Sequence, residues 1–339
     1  MQRKLLQLML IMIIIVLAGI FMIKLTGKDN DIETMKDEDK ITVVTTIYPI
    51  YLIGINLAED IDNLQIVSLI NRNTGCLHDY QLTAEDMKVI SAADVLIING
   101  GGMEAFLKDI AVNYPDLKII DASRDLDMME SLDFRVDEAS WGDTYQESDE
   151  GDYNSHVWLD PLLYEKQIEN VQNSLIDYIH TAFSNTGIEI NDITDKLTEN
   201  AQAYIDQVQQ LEIELEKCKN ELEKASANTK KAVIFHEAFA YLANRLDMPV
   251  AFSVELEADT SLSAGNIAAI VEEINAGKIK YLFTEEQYSE AIPKQIAKET
   301  GARVYVIDSV VTGDGTKDSY LRAMRSNLEV IKDAQKEEG

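Results

Sequence analysis

The chain has 339 residues, enough for one large or two medium domains with a sizeable core. Acidic residues number 60 against 30 basic, a formal charge of −30 at pH 7, which argues against nucleic acid or an anionic membrane surface as partner. Two cysteines, Cys76 and Cys218, are too few for a disulfide framework and read as free thiols.

A short basic leader, Met1-Gln-Arg-Lys4, precedes a run over residues 5–23 that is apolar except for Gln7. As a helix such a run spans about 28 Å, enough for the hydrocarbon core of a bilayer. Arg3 and Lys4 should stay inside, which sends everything after Lys24 out of the cytoplasm. The run is followed by no good small-x-small site, so residues 1–26 read as an uncleaved membrane anchor in preference to a cleaved signal. Residues 27–40 (GKDNDIETMKDEDK) are polar and aperiodic, as a flexible tether would be.

A strand–helix alternation then begins. Short apolar runs at 41–47, 64–70, 95–98 and 117–120 alternate with helix-like segments near 51–58, 84–92 and 103–112. The runs are rich in Val and Ile and barely alternate, which predicts parallel strands buried on both faces and joined by crossover helices. Ile98-Asn-Gly-Gly-Gly-Met103 lacks the glycine and lysine patterns of a phosphate loop and reads as a tight turn into a helix. Residues 125–155 form an acidic stretch without a period, predicted as a surface loop.

Asp160-Pro161 supplies an N-cap and a first-turn proline for a helix over 162–183. A second helix is predicted over 193–225. Its apolar positions Leu197, Ala201, Tyr204, Val208, Leu211, Leu215, Cys218 and Leu222 recur every three or four residues, one stripe along a helix of about 45 Å or more. Taken alone the stripe fits a coiled-coil seam; between two α/β regions it fits a strut on which both pack. The rhythm then returns, with strands at 232–235, 250–254, 281–284 and 304–307 and helices at 237–246, 264–277, 290–300 and 317–331. The expected fold is therefore α/β. Two similar lobes with parallel sheets, over 41–190 and 227–335, are joined by one long linking helix over 191–226, with a cleft between them.

Four histidines punctuate this plan. His78 follows the second strand, His236 follows the first strand of the second lobe, and His156 opens a helix in Ser155-His-Val-Trp-Leu-Asp160. Ligands of open α/β sheets bind beyond the carboxyl ends of strands, where these three fall. His180 lies inside a helix and reads as a surface or packing residue. Asp308 ends the last strand and has the same placement as the three histidines. Two groups come from each lobe, so one ion held by His78, His156, His236 and Asp308 would join the lobes. Three imidazoles and a carboxylate suit tetrahedral Zn²⁺ and are a poor set for Ca²⁺ or Mg²⁺. Such ligands must be deprotonated, so affinity is expected to fall below about pH 6.

Six stretches in order carry a family resemblance: Val43-Val-Thr-Thr-Ile-Tyr-Pro49, Leu77-His-Asp-Tyr80 with Thr83-Ala-Glu-Asp86, Ile98-Asn-Gly-Gly-Gly-Met-Glu104, His156-Val-Trp-Leu-Asp-Pro161, His236-Glu-Ala-Phe-Ala-Tyr-Leu242, and Asp318-Ser-Tyr-Leu-Arg-Ala-Met-Arg-Ser-Asn-Leu328. Together they span roughly 41–334, and the chain resembles the zinc- and manganese-binding receptors of ABC importers, the cluster A-I solute-binding proteins. The resemblance implies two lobes on a rigid helix, one metal at their interface, and metal positions at His78, His156, His236 and Asp308. It implies a monomer without enzymatic activity that delivers its ion to an ABC permease and its ATPase. The family's manganese receptors tend to have glutamate where this chain has His236, which points to Zn²⁺ with Mn²⁺ as the alternative, given Glu237 next door.

The sequence departs from that pattern in several places. Leu17-Ala-Gly19 is followed by Ile20 and not by a lipidated cysteine, hence the reading of a transmembrane anchor. The loop over 125–154 is acidic where zinc receptors often carry histidines, and Leu77 replaces a proline before the first histidine. Glu285, Glu286 or Glu255 could stand in for Asp308, and Cys76 could add a thiolate. Two other classes compete: a zinc metallohydrolase with Glu237 as base, and a surface adhesin built on the long helix.

Overall fold

Val43, Val44, Val95, Leu96 and Ile97 are buried at the centre of the first sheet, and their branched aliphatic side chains pack against helices on both faces. The computed structural model describes residues 40–70, 80–131, 153–184, 186, 188–223, 231–254, 262, 264–286 and 289–336. Strands β1 (Ile41–Thr45), β2 (Leu64–Ser68), β3 (Val95–Ile98) and β4 (Lys118–Asp121) form one parallel sheet in the order β2-β1-β3-β4. Strands β5 (Ala232–Ile234), β6 (Val250–Ser253), β7 (Tyr281–Glu285) and β8 (Arg303–Ile307) form a second in the order β6-β5-β7-β8. The orders are equivalent, so each sheet reverses direction of winding at one place: between β1 and β3, and between β5 and β7. Those are the points where an open sheet leaves a crevice at its carboxyl edge.

Nine helices are described: α1 (Tyr48–Leu57), α2 (Ala84–Ala92), α3 (Leu107–Asn113), α4 (Pro161–Ala182), α5 (Ile190–Glu223), α6 (Ala240–Arg245), α7 (Ala264–Gly277), α8 (Ala291–Thr300) and α9 (Ser319–Lys336). Helix α1 begins at Tyr48, earlier than the apolar pattern predicts, because Pro49 occupies its first turn. Helix α3 begins at Leu107 and not near residue 103. Gly100, Gly101 and Gly102 all have positive φ, and the chain turns through them before it can coil. At Gly100, with φ +86°, a Cβ would lie 2.0 Å from Asp121 Oδ1, so a side chain there would strain the backbone and displace that carboxylate.

The 34-residue helix α5 is about 50 Å long. Every residue of the predicted stripe from Leu197 to Leu222 is buried in it. It packs on α1 and α4 beside the first sheet and on α6 and α9 beside the second. One continuous core results, from Val43 through Leu175, Val208 and Leu215 to Tyr281 and Ile331. A separate apolar layer, with Val233, Leu282, Ile274 and Ile296, fills the outer face of the second sheet under α7 and α8. Polar contacts fasten the same helix to both sides. Asn200 Nδ2 donates to the Leu57 and Glu59 carbonyls at 3.0 and 2.7 Å, while Arg245 pairs with Glu212 and Arg325 with Glu214. Cys218 lies in the stripe, and burial pushes its thiol up to about 11, so it is an inert core residue.

Among the described residues no helix is long and apolar enough to cross a membrane; the apolar run at 5–23 lies outside them. The acidic loop is described only at its ends, which meet in an antiparallel bridge between Glu130 and Tyr153.

Candidate metal centre

His236 follows β5 at one side of the second sheet's reversal point, and Glu285 ends β7 at the other. Adjacent strand ends therefore bring them together, and His236 Nδ1 bonds to Glu285 Oε1. The other carboxylate oxygen accepts from Ser309 Oγ at 3.0 Å. His236 is 4% exposed and Glu285 1%, so this is a pair withdrawn from water.

His156 comes from the first half of the chain. The 3-10 turn Val157–Leu159 follows it, and Asp160 then caps α4 by accepting from the Leu162 amide at 2.9 Å. Asn154 Oδ1 lies 3.0 Å from both the His156 amide and Nδ1, which fixes backbone and ring together. Asn154 is itself anchored. Its Nδ2 donates to the Glu237 carbonyl at 2.9 Å, and its own carbonyl accepts from Tyr241 Oη at 2.7 Å. From behind, Asn99 Nδ2 donates to the Ser155 carbonyl at 2.8 Å. Gly101 has φ +64°, and a Cβ there would come within 2.9 Å of Met128 Sδ while only touching Ser155, so it is the backbone conformation of the turn that calls for glycine.

The two imidazoles meet edge to face, ring centroids 4.7 Å apart and planes at 82°. Two imidazoles on one tetrahedral ion, with metal–nitrogen bonds of about 2.0–2.1 Å, place their centroids roughly 5 Å apart. The observed spacing matches. Nδ1 of His156 faces Asn154 Oδ1, and Nδ1 of His236 faces Glu285.

Asp308 stands at the end of β8, half-buried. Burial pushes its carboxyl up, the Val310 amide at 2.7 Å holds it down, and Glu286 and Glu285 push it further up. Asn327 grips its backbone from both sides, accepting from the amide and donating to the carbonyl at 2.7 Å each. Val310, fully buried, has φ +61°, a left-handed conformation that a β-branched residue rarely adopts.

His78, Cys76 and Glu255 lie outside the described residues. Among the described residues, no three His, Cys, Asp or Glu side chains stand close enough together to hold an ion. The structure thus joins His156 to His236, leaves His180 exposed on α4, and connects the chain at Asp308 to the pair through the next residue, Ser309, which bonds to Glu285. Glu237, considered as an alternative ligand or base, turns to the other half of the chain, its Oε2 accepting from Ser131 Oγ at 2.7 Å. Glu286 is exposed, whereas Glu285 is occupied by His236. Asn154 and Ser309 escape a sequence reading, because neither residue type signals metal chemistry by itself.

Residues 43–334 match the family of the periplasmic zinc-uptake complex component A, ZnuA. The chain belongs to this family. Members of this family are components of a zinc-uptake complex. The zinc-binding lipoprotein AdcA of Streptococcus pneumoniae (strain ATCC BAA-255 / R6) is 27% identical over 309 residues, covering 89% of this chain and 57% of the relative. The chain thus spans little more than half the length of that protein. The high-affinity zinc uptake system protein ZnuA of Bacillus subtilis (strain 168) is 24% identical over 302 residues, covering 87% of this chain and 88% of the relative. Among solved structures, the SBP FpvC from Pseudomonas aeruginosa in complex with Mn2+ superposes with a TM-score of 0.72 at 22% identity, over 88% of this chain and 100% of the other. That likeness establishes the fold: two parallel four-stranded sheets on a long helix.

Proposed function

We propose that this protein is an extracytoplasmic receptor that captures Zn²⁺ in the crevice between its two sheets and delivers it to an ABC permease driven by a cytoplasmic ATPase. The observation that carries the reading is the meeting of His156 and His236, buried side chains from opposite halves of the chain, at a spacing suited to one shared ion. His78, from the segment after β2, and Asp308, at the end of β8, complete a set of three imidazoles and a carboxylate. That set favours Zn²⁺ over the hard, oxygen-seeking cations. The zinc in the relatives' names supports the same cargo.

Mn²⁺ is the second reading. It draws support from the carboxylates beside the histidine pair, Asp308 and Glu285, and from the manganese complex of the FpvC structure. In both readings residues 1–26 anchor a monomer to the membrane and residues 27–40 tether it. The lobes comprise residues 41–190 and 227–335 on a linker at 191–226.

Metal analysis of the purified full chain, followed by calorimetric titration of the metal-stripped protein with Zn²⁺ and with Mn²⁺, tests the proposal. One ion per chain is expected, with zinc held more tightly. A stripped protein that takes up neither ion at a several-fold molar excess sinks it.

A further inference from the structure

Ser309 is the residue through which the candidate ligands are connected. Its carbonyl oxygen accepts from Trp158 Nε1 at 2.8 Å, its hydroxyl donates to Glu285 Oε2 at 3.0 Å, and it directly follows Asp308. Glu285 takes His236 Nδ1 with its other oxygen. Trp158 is two residues past His156, with ring centroids 5.1 Å apart. One buried serine thus touches the segments that carry His156, His236 and Asp308.

Both Glu285 oxygens are acceptors, so the partner atom on His236 must carry the hydrogen. In the neutral imidazole that a metal requires, a hydrogen on Nδ1 places the lone pair on Nε2. We propose that Glu285 is the positioning residue of His236, held in place by Ser309, and that the two together set the tautomer and ring direction with which His236 meets a transition-metal ion. The proposal rests on the metal-receptor reading above and gives Glu285 a different role from that of a substitute for Asp308.

The two imidazoles are oriented by different chemistry. His156 faces the neutral amide oxygen of Asn154 at 3.0 Å, whereas His236 faces a carboxylate. His236 is therefore the more strongly polarised donor. Outer partners of this kind typically contribute roughly 10–100-fold to metal affinity. Imidazole discriminates Zn²⁺ from Mn²⁺ better than oxygen donors do, so a disoriented His236 costs zinc affinity more than manganese affinity.

The test uses the full chain in detergent, as wild type, Glu285→Ala, Glu285→Gln and Ser309→Ala. It combines ¹⁵N-histidine NMR of the metal-free protein with competition titrations of Zn²⁺ and Mn²⁺. In the wild type His236 should be the Nδ1–H tautomer. Glu285→Ala should mix the tautomers, weaken zinc roughly 10–100-fold and narrow the preference for zinc over manganese. Glu285→Gln keeps an acceptor for Nδ1, so it should keep the tautomer and lose less affinity; Ser309→Ala should fall between. Unchanged zinc affinity in Glu285→Ala overturns the proposal, and so does a loss of affinity with the tautomer unmoved, which would mark a merely structural role. If Glu285→Ala does not fold, Ser309→Ala decides, because wild-type affinity with a wild-type tautomer there is equally fatal. A wild-type chain that takes up no zinc overturns the receptor reading itself, and the wild-type titration alone tells that failure apart.

Discussion

Trp158 and Ser309 are joined across the two halves of the molecule, the indole Nε1 donating to the serine carbonyl at 2.8 Å. Trp158 is fully buried, and its own carbonyl accepts from Tyr320 Oη at 2.8 Å. The segment that carries His156 is therefore fixed to the segment that carries Asp308 by hydrogen bonds out of reach of water. Such bonds hold their geometry without help from an ion, so this part of the proposed site would be assembled before any ion arrives.

Trp158→Phe tests this preorganisation. The substitution keeps an aromatic ring but leaves the buried Ser309 carbonyl without its donor, a loss of about 1–3 kcal/mol. The denaturant midpoint of the metal-free protein should fall accordingly, and zinc affinity should fall with it. A midpoint equal to wild type would show that the contact contributes nothing to the join.

Tyr164→Phe probes the centre of the helical layer. The Tyr164 hydroxyl donates to the Pro49 carbonyl at 3.0 Å and lies 3.1 Å from that of Tyr204, while its ring stacks on Tyr320 with centroids 3.9 Å apart. Helices α1, α4, α5 and α9 all converge there. Removing one oxygen takes its partner from the buried Tyr204 hydroxyl and a second donor from the Pro49 carbonyl, which also accepts along α1, with an expected cost of about 1 kcal/mol by chemical denaturation. Zinc affinity should stay at the wild-type value, since the ring and its stacking remain.

The strands were legible in the sequence because a doubly covered parallel strand must be apolar on both faces, as Val95, Leu96, Ile97 and Ile98 are. The long helix was legible because its stripe repeats over many turns, and Leu197, Val208 and Leu222 are all buried as their spacing requires. Strand-end placement drew attention to His78, His156, His236 and Asp308; the structure brings His156 and His236 into contact, and His78 lies outside the described residues. The orienting residues were hidden for a physical reason. Glu285 reaches His236 because β7 lies beside β5, an adjacency of strands that are not consecutive in the chain. Ser309 meets Trp158 across 151 residues of sequence. No local pattern encodes a pairing of that kind.

The loop before α9 gives a pH prediction with a definite sign. The Asp314 carboxyl is held below its ordinary value of 3.8, first by bonds from the Thr316 hydroxyl and amide and then by Arg322, whose Nη2 lies 2.6 Å away. Asp318 is lowered too, by the Thr316 hydroxyl and then by Arg322. A carboxyl depressed in the folded state contributes stability that is present above its unfolded value and is lost as pH falls through the folded one. Wild-type melting temperature should therefore drop as pH falls from about 4 toward 2, and Asp314→Asn should lower the melting temperature modestly at neutral pH and converge on the wild-type curve as pH falls, which flattens part of that limb. Both groups are exposed, so the effect should also shrink in high salt. Parallel curves for the two proteins would remove Asp314 from the account.

The last prediction concerns the histidine pair. An ion bound only by the folded chain stabilises it by mass action, by about 2.7 kcal/mol at a hundredfold excess over the dissociation constant. Zinc should thus raise the melting temperature of the stripped wild type by several degrees. The quantity to compare in variants is this zinc-induced rise and not the melting temperature itself. His236→Ala leaves the buried Glu285 carboxylate without the imidazole it holds, and His156→Ala removes a ring packed 5.1 Å from Trp158, so both variants start from altered stability. If one ion is gripped by both rings, each substitution should abolish most of the rise by itself, and the double variant should lose little more. A full zinc-induced rise in either single variant would mean that the two imidazoles, although they touch, do not share an ion.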